Sequence, residues 1–371
     1  MGERVRADEE WARGLLRKGV AELTPYKGGQ SAEQVRAAYG LDRVVKLASN
    51  ENPFGPAPRA VEAIRAALDE LHRYPDGNAS RLKEALAPRL GCSPEELFIG
   101  NGGDDVLSVL ARTVVDVGDE CLIPSPSFSP YEVVTRVMGG VPVFSPLREF
   151  RVDLEGYRRR LSPRTKLIFL CNPNNPTGTI VGEPAFGAFV REVPSRSLLL
   201  VDEAYGDFAE DPSFPDTLSY LAEGRAVFIL RTFSKIFGLA GLRVGFGVGP
   251  APLVRHMHRT KEPFNVNLLA QAAALAALED EEYRRSVRGR VLAGRRQLCA
   301  GFERLGLDYV PSEANFIFVR VGAGRRMQEA LLARGVVVRP GTAFGHPEHV
   351  RVTVGREEEN ELFLSALEAA L

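Results

Sequence analysis

One lysine of this sequence differs from the others in its surroundings. Lys235 lies in the stretch 232–238 (TFSKIFG), directly after an apolar run typical of a buried strand, and it has aromatic neighbours on either side. The other lysines stand in helices, turns or charge-rich strand ends. A lysine in such surroundings is either a buried ion-pair partner or an amine tuned for Schiff-base chemistry. This stretch alone leaves both interpretations open.

Two further polar motifs also follow apolar runs. In 201–205 (VDEAY), Asp202 ends a strand-like run, and open α/β sheets place their ligand sites at such strand ends. In 172–178 (NPNNPTG), directly after the run 166–171, the prolines and glycine predict a turn and the asparagines offer amide groups to a ligand. Each motif also has a purely structural interpretation, as a helix cap or a turn.

A fourth motif has the composition of an anion site. The small residues of 100–105 (GNGGDD) precede the helical run 106–115, and backbone N–H groups at the positive end of such a helix form a cradle for phosphate. The four motifs therefore offer an amine, a carboxylate, amides with a phenol, and an anion nest. Pyridoxal phosphate requires such a set, for its aldehyde, its ring nitrogen, its 3-oxygen and its phosphate respectively.

The elements that must position these motifs predict the class of fold. Short apolar runs alternate with stretches of helical spacing such as 130–138 and 183–193. Continuous apolar runs such as 167–170 (LIFL) are typical of a parallel sheet covered on both faces, and the alternation indicates an α/β sandwich. The predicted strands are 120–123, 141–145, 166–171, 197–202, 226–231 and 243–248.

The pattern changes towards both ends of the chain. Near the N-terminus, helices are predicted over about 5–18 and from Ser31, whose spacing to Gln34 is that of a capping box. After residue 262, a mixed pattern predicts a smaller α+β domain. Its elements are a helical region over about 267–305, strands at 315–320, 336–339 and 350–354, and a helix from about 357.

These changes divide the chain into three predicted parts. We expect an arm over 1–54 that packs on the small domain and on a second subunit, a large domain over 55–262, and a small domain over 263–371. The large domain carries the four motifs and is therefore expected to bind the cofactor.

Taken together, these residues resemble the fold-type I, aspartate-aminotransferase-like enzymes, and within them the histidinol-phosphate aminotransferase family. The order and spacing of NPNNPTG, DEAY, the pair Ser234 and Lys235, and a distal arginine carry the resemblance, which covers nearly the whole chain. It implies a three-layer sandwich with a mostly parallel central sheet, plus a smaller α+β C-terminal domain. Further matching stretches are 23–26 (LTPY), 46–55 (KLASNENPFG), 73–77 (RYPDG), 263–267 (PFNVN), 338–340 (VRP) and 350–355 (VRVTVG).

The resemblance implies a role for each residue around the cofactor ring. Lys235 is expected to form the Schiff base with the cofactor and then to carry the proton between Cα and C4′. Asp202 would pair with the pyridinium nitrogen, and Asn175 and Tyr205 would hydrogen-bond the 3-oxygen. Phe128 would stack on the ring, at a position where relatives often carry tyrosine, so that any hydroxyl role there is lost.

The resemblance also implies how the cofactor phosphate is held. The backbone amides of Gly103 and Asp104 are expected to bind it together with Thr232 or Ser234 and with Arg243. Tyr74 would reach it from the neighbouring subunit, which implies a homodimer as the active unit.

The resemblance also implies that arginines bind the substrate. Arg351 is expected to pair bidentately with a substrate α-carboxylate, as guanidinium geometry favours. Histidinol phosphate has no such carboxylate, so in that half-reaction Arg351 would meet the substrate phosphate, with help from Arg339 and Tyr26. Asn52 is also expected to bind substrate.

The activity implied by the resemblance is a ping-pong transamination. L-Glutamate would give its amino group to the cofactor, and imidazole-acetol phosphate would accept it to become L-histidinol phosphate, a step of histidine biosynthesis. Three alternatives stay open: an aromatic amino-acid aminotransferase, an amino-acid-phosphate decarboxylase of the same fold, and a non-catalytic sensor domain that uses the bound cofactor.

Composition limits the remaining classes of function. The chain has 371 residues with 47 basic and 48 acidic side chains, and this balance argues against a dedicated nucleic-acid binder. No apolar run is long enough to span a bilayer, no signal peptide is predicted, and no metal site is expected. The four cysteines form no CxxC pair, so we expect free thiols in a reducing cytoplasm.

Overall fold

The computed structural model describes residues 9–25 and 31–371. The strands are β1 Val45–Lys46, β2 Leu97–Gly100, β3 Glu120–Ser125, β4 Val141–Pro146, β5 Thr165–Cys171, β6 Leu198–Asp202, β7 Val227–Thr232, β8 Gly245–Val248, β9 Tyr309–Val310, β10 Phe316–Arg320, β11 Val336–Val337, β12 Arg339–Pro340 and β13 His349–Thr353. The helices are α1 Glu9–Leu15, α2 Lys18–Ala21, α3 Ala32–Tyr39, α4 Pro58–Ala67, α5 Ser80–Leu90, α6 Gly103–Val114, α7 Pro130–Val137, α8 Leu154–Arg158, α9 Ala185–Glu192, α10 Thr217–Ala222, α11 Ala251–Met257, α12 Leu268–Glu279, α13 Glu281–Arg304, α14 Gly324–Leu332 and α15 Glu357–Glu368. Short 3-10 turns occur at Leu68–Glu70, Pro94–Glu96, Gly206–Phe208, Ala240–Leu242 and Gly341–Phe344.

The large sheet has seven strands in the order β2-β8-β7-β6-β5-β3-β4. β8 runs antiparallel to both of its neighbours, and the other strands run parallel to one another. The prediction of a mostly parallel sheet is therefore confirmed. The strand predicted at 243–248 begins two residues later because Arg243 takes a left-handed conformation, with φ 57°.

Alternation along the central strands buries both faces of this sheet. Ile168 and Leu170 belong to one apolar core, whereas Leu167 and Phe169 belong to another on the opposite face. All four side chains are buried, so the continuous apolar run serves two helical layers at once. The arrangement is the predicted three-layer sandwich.

A smaller antiparallel sheet, in the order β12-β13-β10-β9, forms a second structural centre. Its apolar side chains pack with those of α13 and α15 in a separate core. The strand predicted at 336–339 is in fact two strands in different sheets. β11 pairs in parallel with β1, whereas β12 pairs with β13, because the chain turns from one sheet to the other at Val338.

Two helix predictions need correction. The helical region predicted over 267–305 is interrupted at Asp280, whose side chain accepts a hydrogen bond from the N–H of Tyr283 and caps α13. In the described part of the helix predicted over 5–18, α1 ends at Leu15. The capping box at Ser31 is confirmed, with reciprocal hydrogen bonds to Gln34 of 2.9 and 3.1 Å.

The packing of α12 bears on the predicted domain boundaries. Ala270, Ala273 and Ala277 of α12 lie in the core beneath the large sheet, whereas Val287 of α13 lies in the core of the small sheet. The division into arm, large domain and small domain stays a prediction.

Candidate active site

The strand ends of the large sheet border a cavity of about 530 Å³. β5, β6 and β7 all reach it at their carboxyl ends, and α6 begins beside it. The motifs that lie far apart in the sequence therefore meet in space. The predicted residues that line the cavity are Gly103, Asp104, Phe128, Asn175, Asp202, Tyr205, Thr232, Ser234, Lys235, Arg243 and Arg351.

Lys235 projects from the turn that follows β7. Its Nζ donates to the carbonyl oxygen of Ser49 at 3.4 Å and lies 5.5 Å from the centroid of the Tyr205 ring. Burial, followed by the guanidinium of Arg351, lowers the pKa of Lys235 to about 8. A larger fraction of the amine is therefore neutral near physiological pH than is usual for lysine, which increases its nucleophilic population.

The turn that carries Lys235 depends on Gly238. This residue has φ 70°, and its N–H donates to the carbonyl oxygen of Lys235 at 3.0 Å. A Cβ at this position would lie 2.2 Å from the carbonyl oxygen of Gly55. Glycine therefore lets the turn approach the segment 49–55, which supplies Ser49 to the lysine.

Asp202 ends β6 as a buried carboxylate. Its Oδ1 accepts from the N–H of Ala204 at 3.0 Å, and its Oδ2 accepts from the hydroxyl of Tyr131 at 2.6 Å. Burial raises the pKa of Asp202 to about 6, although these hydrogen bonds lower it. Such a carboxylate can pair with a cationic ring nitrogen in the cavity.

Asn175 and Arg351 are joined across the cavity wall. Nη1 of Arg351 donates to Oδ1 of Asn175 at 2.6 Å, and Nη2 donates to the carbonyl oxygen of Ala48 at 2.7 Å. Tyr205, next to them, accepts from Nδ2 of Asn50 at 3.0 Å, and burial raises the pKa of its phenol. Arg351 is thus held by fixed acceptors while it lines the cavity.

The anion nest is formed where α6 begins. Gly102 has φ 84°, and a Cβ on it would lie 2.7 Å from Nη2 of Arg243. The same Nη2 lies 3.2 Å from Oδ2 of Asp104. The guanidinium therefore lies directly over the glycine backbone, beside the first N–H groups of the helix. Positive charge and helix-end donors coincide here, as a phosphate requires.

Among the described residues, three predicted site residues do not line this cavity: Tyr74, Arg339 and Asn52. Tyr74 is 82% exposed and stacks on Phe264 with ring centroids 4.6 Å apart. Arg339 lies opposite Arg351 in the register of β12 and β13. Tyr26 lies outside the described residues.

Asn52 contacts the turn of the lysine and not the cavity. Its Nδ2 donates to the carbonyl oxygen of Ile236 at 3.0 Å. Its neighbours Ser49, Asn50 and Glu51 line the cavity instead. The substrate contact of Asn52 therefore stays a prediction.

Sequence reasoning missed two polar contacts of the site. Asn50 has φ 54°, a conformation that asparagine tolerates better than most residues, and this turn directs it towards Tyr205. Tyr131 lies 71 residues before its partner Asp202. No local pattern announces this contact, because the tyrosine looks like one more apolar residue of an amphipathic helix.

The described residues contain neither a metal-binding cluster nor a membrane-spanning helix. Within 9–25 and 31–371, no group of three or more histidine, cysteine, aspartate or glutamate side chains could hold a metal ion. In the same part of the chain, no helix has the length and hydropathy needed to cross a membrane. The four cysteines, of which Cys121 and Cys171 are buried, form no disulfide.

Comparison with known proteins assigns this fold and site to a class. The family model described as "Aminotransferase class I and II" matches residues 42–367. Aspartate aminotransferase of Thermus thermophilus, solved with maleate, superposes with a TM-score of 0.81 at 27% identity, over 96% of this chain and 99% of that one. The chain belongs to the class I and II aminotransferases, and the predicted fold type I is confirmed.

Its nearer relatives share one name. The histidinol-phosphate aminotransferase of Moorella thermoacetica is 49% identical over 96% of this chain and 92% of its own length. That of Symbiobacterium thermophilum is 44% identical, over 96% and 98%. The crystal structure from Sinorhizobium meliloti, in complex with pyridoxal 5′-phosphate, has a TM-score of 0.88 at 29% identity, over 96% and 97%. Within its class the chain belongs to the histidinol-phosphate aminotransferase family.

Proposed function

We propose that this chain binds pyridoxal phosphate in the cavity and transfers an amino group between L-glutamate and imidazole-acetol phosphate, yielding 2-oxoglutarate and L-histidinol phosphate. The observation that carries the proposal is the meeting in one cavity of the Lys235 amine, the buried Asp202 carboxylate and the Arg351 guanidinium. The names of relatives at 39% to 49% identity support the phosphorylated substrate.

The residues of the cavity fit the cofactor group by group. In this proposal Lys235 meets the aldehyde, Asp202 the ring nitrogen, and Asn175 and Tyr205 the 3-oxygen, while Phe128 covers a ring face. When bound, pyridoxal phosphate supplies an electron-withdrawing ring that accepts the electron pair of the broken substrate Cα–H bond. The residues proposed to hold its phosphate are Gly103, Asp104, Thr232, Ser234 and Arg243.

Lys235 is proposed to move the proton of the reaction. A pKa of about 8 lets its amine both accept and release a proton near neutral pH. Its Nζ is within reach of the carbonyl of Ser49, and the acceptor keeps the amine at the cavity wall. In this proposal the amine of Lys235 takes the proton from substrate Cα, and the same amine later gives it back.

Arg351 is proposed to bind the anionic group of either substrate. The carbonyl of Ala48 and the amide oxygen of Asn175 fix its guanidinium plane, which lowers the entropy lost when an anion binds. Glutamate would present its α-carboxylate, and histidinol phosphate its phosphate. Arg339 lies opposite Arg351 in the register of β12 and β13, so we assign it and Tyr26 to the phosphorylated substrate.

The working unit is proposed to be a cytoplasmic homodimer. Tyr74 and Phe264 form an aromatic pair in which the phenol is 82% and the phenyl ring 44% exposed. An exposed pair of this kind suits a surface that a second subunit covers. In this dimer Tyr74 would reach the cofactor phosphate of the neighbouring cavity.

Substrate choice is tested by comparing kcat/KM for L-histidinol phosphate and L-phenylalanine, with 2-oxoglutarate as acceptor. We expect a preference of at least about 100-fold for the phosphorylated donor, because phenylalanine lacks the phosphate that Arg339 and Tyr26 are proposed to bind. Arg339→Ala should remove most of this preference. Arg325→Ala, whose side chain is 81% exposed on α14, is the matched control.

Each contrary result has a defined meaning. A preference for phenylalanine would make the chain an aromatic aminotransferase, and release of carbon dioxide from a phosphorylated amino acid would make it a decarboxylase. Equal losses on both donors in Arg339→Ala would remove that residue from phosphate recognition.

A further inference from the structure

One buried phenol that contacts a residue of the cavity wall has no role in the function proposed above. Tyr131 of α7 is fully buried, and its hydroxyl donates to Oδ2 of Asp202 at 2.6 Å. Its ring stacks on Phe169 with centroids 4.6 Å apart and planes 16° apart, and it meets Phe128 edge-on at 5.6 Å. Packing on two sides fixes the ring, so the hydroxyl stays directed at Asp202.

The surroundings of Asp202 leave few groups to stabilise its charge. Burial favours the neutral acid, and the carboxylates of Asp104 and Glu203 act in the same direction on its pKa. The hydrogen bond from Tyr131 is the largest of the effects that lower this pKa, and the N–H of Ala204 is the other. The phenol therefore opposes the desolvation of the carboxylate.

Tyr131 itself remains a donor. Burial, together with the charge of Asp202 and the nearby thiol of Cys171, raises the pKa of the phenol well above its usual value. The proton of the pair thus stays on the tyrosine oxygen while Asp202 is charged. The two donors also occupy one lone pair on each carboxylate oxygen, which sets the plane of the group.

We propose that Tyr131 is a positioning residue that keeps Asp202 charged and fixes its plane, so that Asp202 can pair with the ring nitrogen of the cofactor. This inference rests on the proposed function, because that function supplies the ring. It extends the site to α7, an element that contributes none of the residues predicted from the sequence motifs.

The test compares Tyr131→Phe with Tyr157→Phe. Tyr157 is also fully buried, and its hydroxyl donates to the carbonyl oxygen of Phe169 at 2.7 Å, away from the cavity. Each variant loses one buried hydroxyl and one hydrogen bond, so the loss of Tm should be similar. The dissociation constant of pyridoxal phosphate is then measured on the cofactor-free proteins from pH 5 to 9.

Only Tyr131→Phe should change cofactor binding. We expect its dissociation constant at pH 7 to rise about tenfold, the effect of one hydrogen bond to a charged group. The acidic limb of the binding profile should move up by about one pH unit, because Asp202 protonates more readily without the phenol. On the loaded enzyme, kcat should fall while KM for L-glutamate changes little.

A double-mutant cycle separates positioning from general damage. In an Asp202→Asn background, Tyr131→Phe should cause no further loss of cofactor affinity, because the charge that it supports is gone. An additive loss in the cycle would overturn the inference, as would a binding profile of Tyr131→Phe equal to that of Tyr157→Phe. Failure of the wild-type protein to bind the cofactor would instead overturn the proposed function.

Discussion

Lys235 combines a lowered pKa with a position on the cavity wall. If the proposed function holds, Lys235→Ala should lower transamination by at least about 10⁴-fold, because Lys235 is the one lysine among the described residues that lines the cavity. The visible absorption of the bound cofactor should shift with the loss of the Schiff base. Lys166→Ala, outside the cavity, is the control, and turnover of Lys235→Ala near the wild-type rate would refute the assignment.

The raised pKa of Asp202 leads to a prediction about the stability of the protein. Its pKa rises from 3.8 to about 6 in the folded protein, so between these values the folded state binds more protons than the unfolded state. Stability is therefore lost as pH rises through this window, and the full loss persists above pH 6. Asp202→Asn has no carboxyl group to ionise and therefore avoids this loss. The substitution should stabilise the cofactor-free protein at pH 8 by on the order of 2 kcal/mol.

Urea denaturation of both proteins at several pH values measures this difference. The gain in stability of Asp202→Asn should shrink as pH falls from 6 towards 4, and its loss of cofactor affinity should be largest above pH 6, where Asp202 is charged. A constant difference between pH 4 and 8 would show that Asp202 titrates normally in the folded protein.

At the scale of the elements, the turn after β7 packs closely against the segment 49–55. Gly238→Ala places a Cβ at φ 70° and 2.2 Å from a carbonyl oxygen of the segment 49–55. We expect a loss of more than about 2 kcal/mol of stability, together with weaker cofactor binding, because the lysine turn must move. Gly224→Ala is the control, since Gly224 has φ 77° with nothing within 4 Å of the added Cβ.

The two glycine variants separate conformation from contact. Gly224→Ala should cost only about 1 kcal/mol, the penalty of the left-handed conformation, and should leave cofactor affinity unchanged. If Gly238→Ala matched Gly224→Ala in both stability and cofactor affinity, the close approach of the turn to Gly55 would be unimportant.

The sequence predicts an element well when the interactions that form it are local, and poorly when its partners lie far away along the chain. Continuous apolar runs predicted the central strands within a residue or two, because burial on both faces imposes that composition locally. The split of 336–339 between two sheets could not be predicted, since β11 takes its partner β1 from the other end of the chain. Tyr131 was missed because its partner, Asp202, also lies far away in the sequence, 71 residues later.

The helices also suggest a different boundary between the domains. α12 packs beneath the large sheet and α13 against the small one, with Asp280 between them. We propose that the boundary between the two predicted domains lies near Asp280.

At the scale of the whole molecule, the proposed dimer predicts complementation. If Tyr74 serves the neighbouring cavity, a heterodimer of Tyr74→Ala and Lys235→Ala contains one intact site and one doubly defective site. Mixing equal amounts of the two impaired proteins under subunit exchange should therefore restore about one quarter of the wild-type sites. The measurement is transaminase activity before and after exchange.

Light scattering of each variant provides the control that both remain dimers. A mixture no more active than the average of its two components would place Tyr74 within its own subunit or outside the site.

Contacts between early and late parts of the chain also determine when the cavity can form during synthesis on the ribosome. The N–H of Asn50, which lines the same cavity as Lys235, donates to the hydroxyl of Thr353, 303 residues further along the chain. An emerging polypeptide can assemble the large sheet early, because its last strand ends at Val248, but β1 waits for β11 and Asn50 waits for Thr353. The cavity is therefore completed only when translation is nearly finished, and products truncated before Arg351 lack part of its lining.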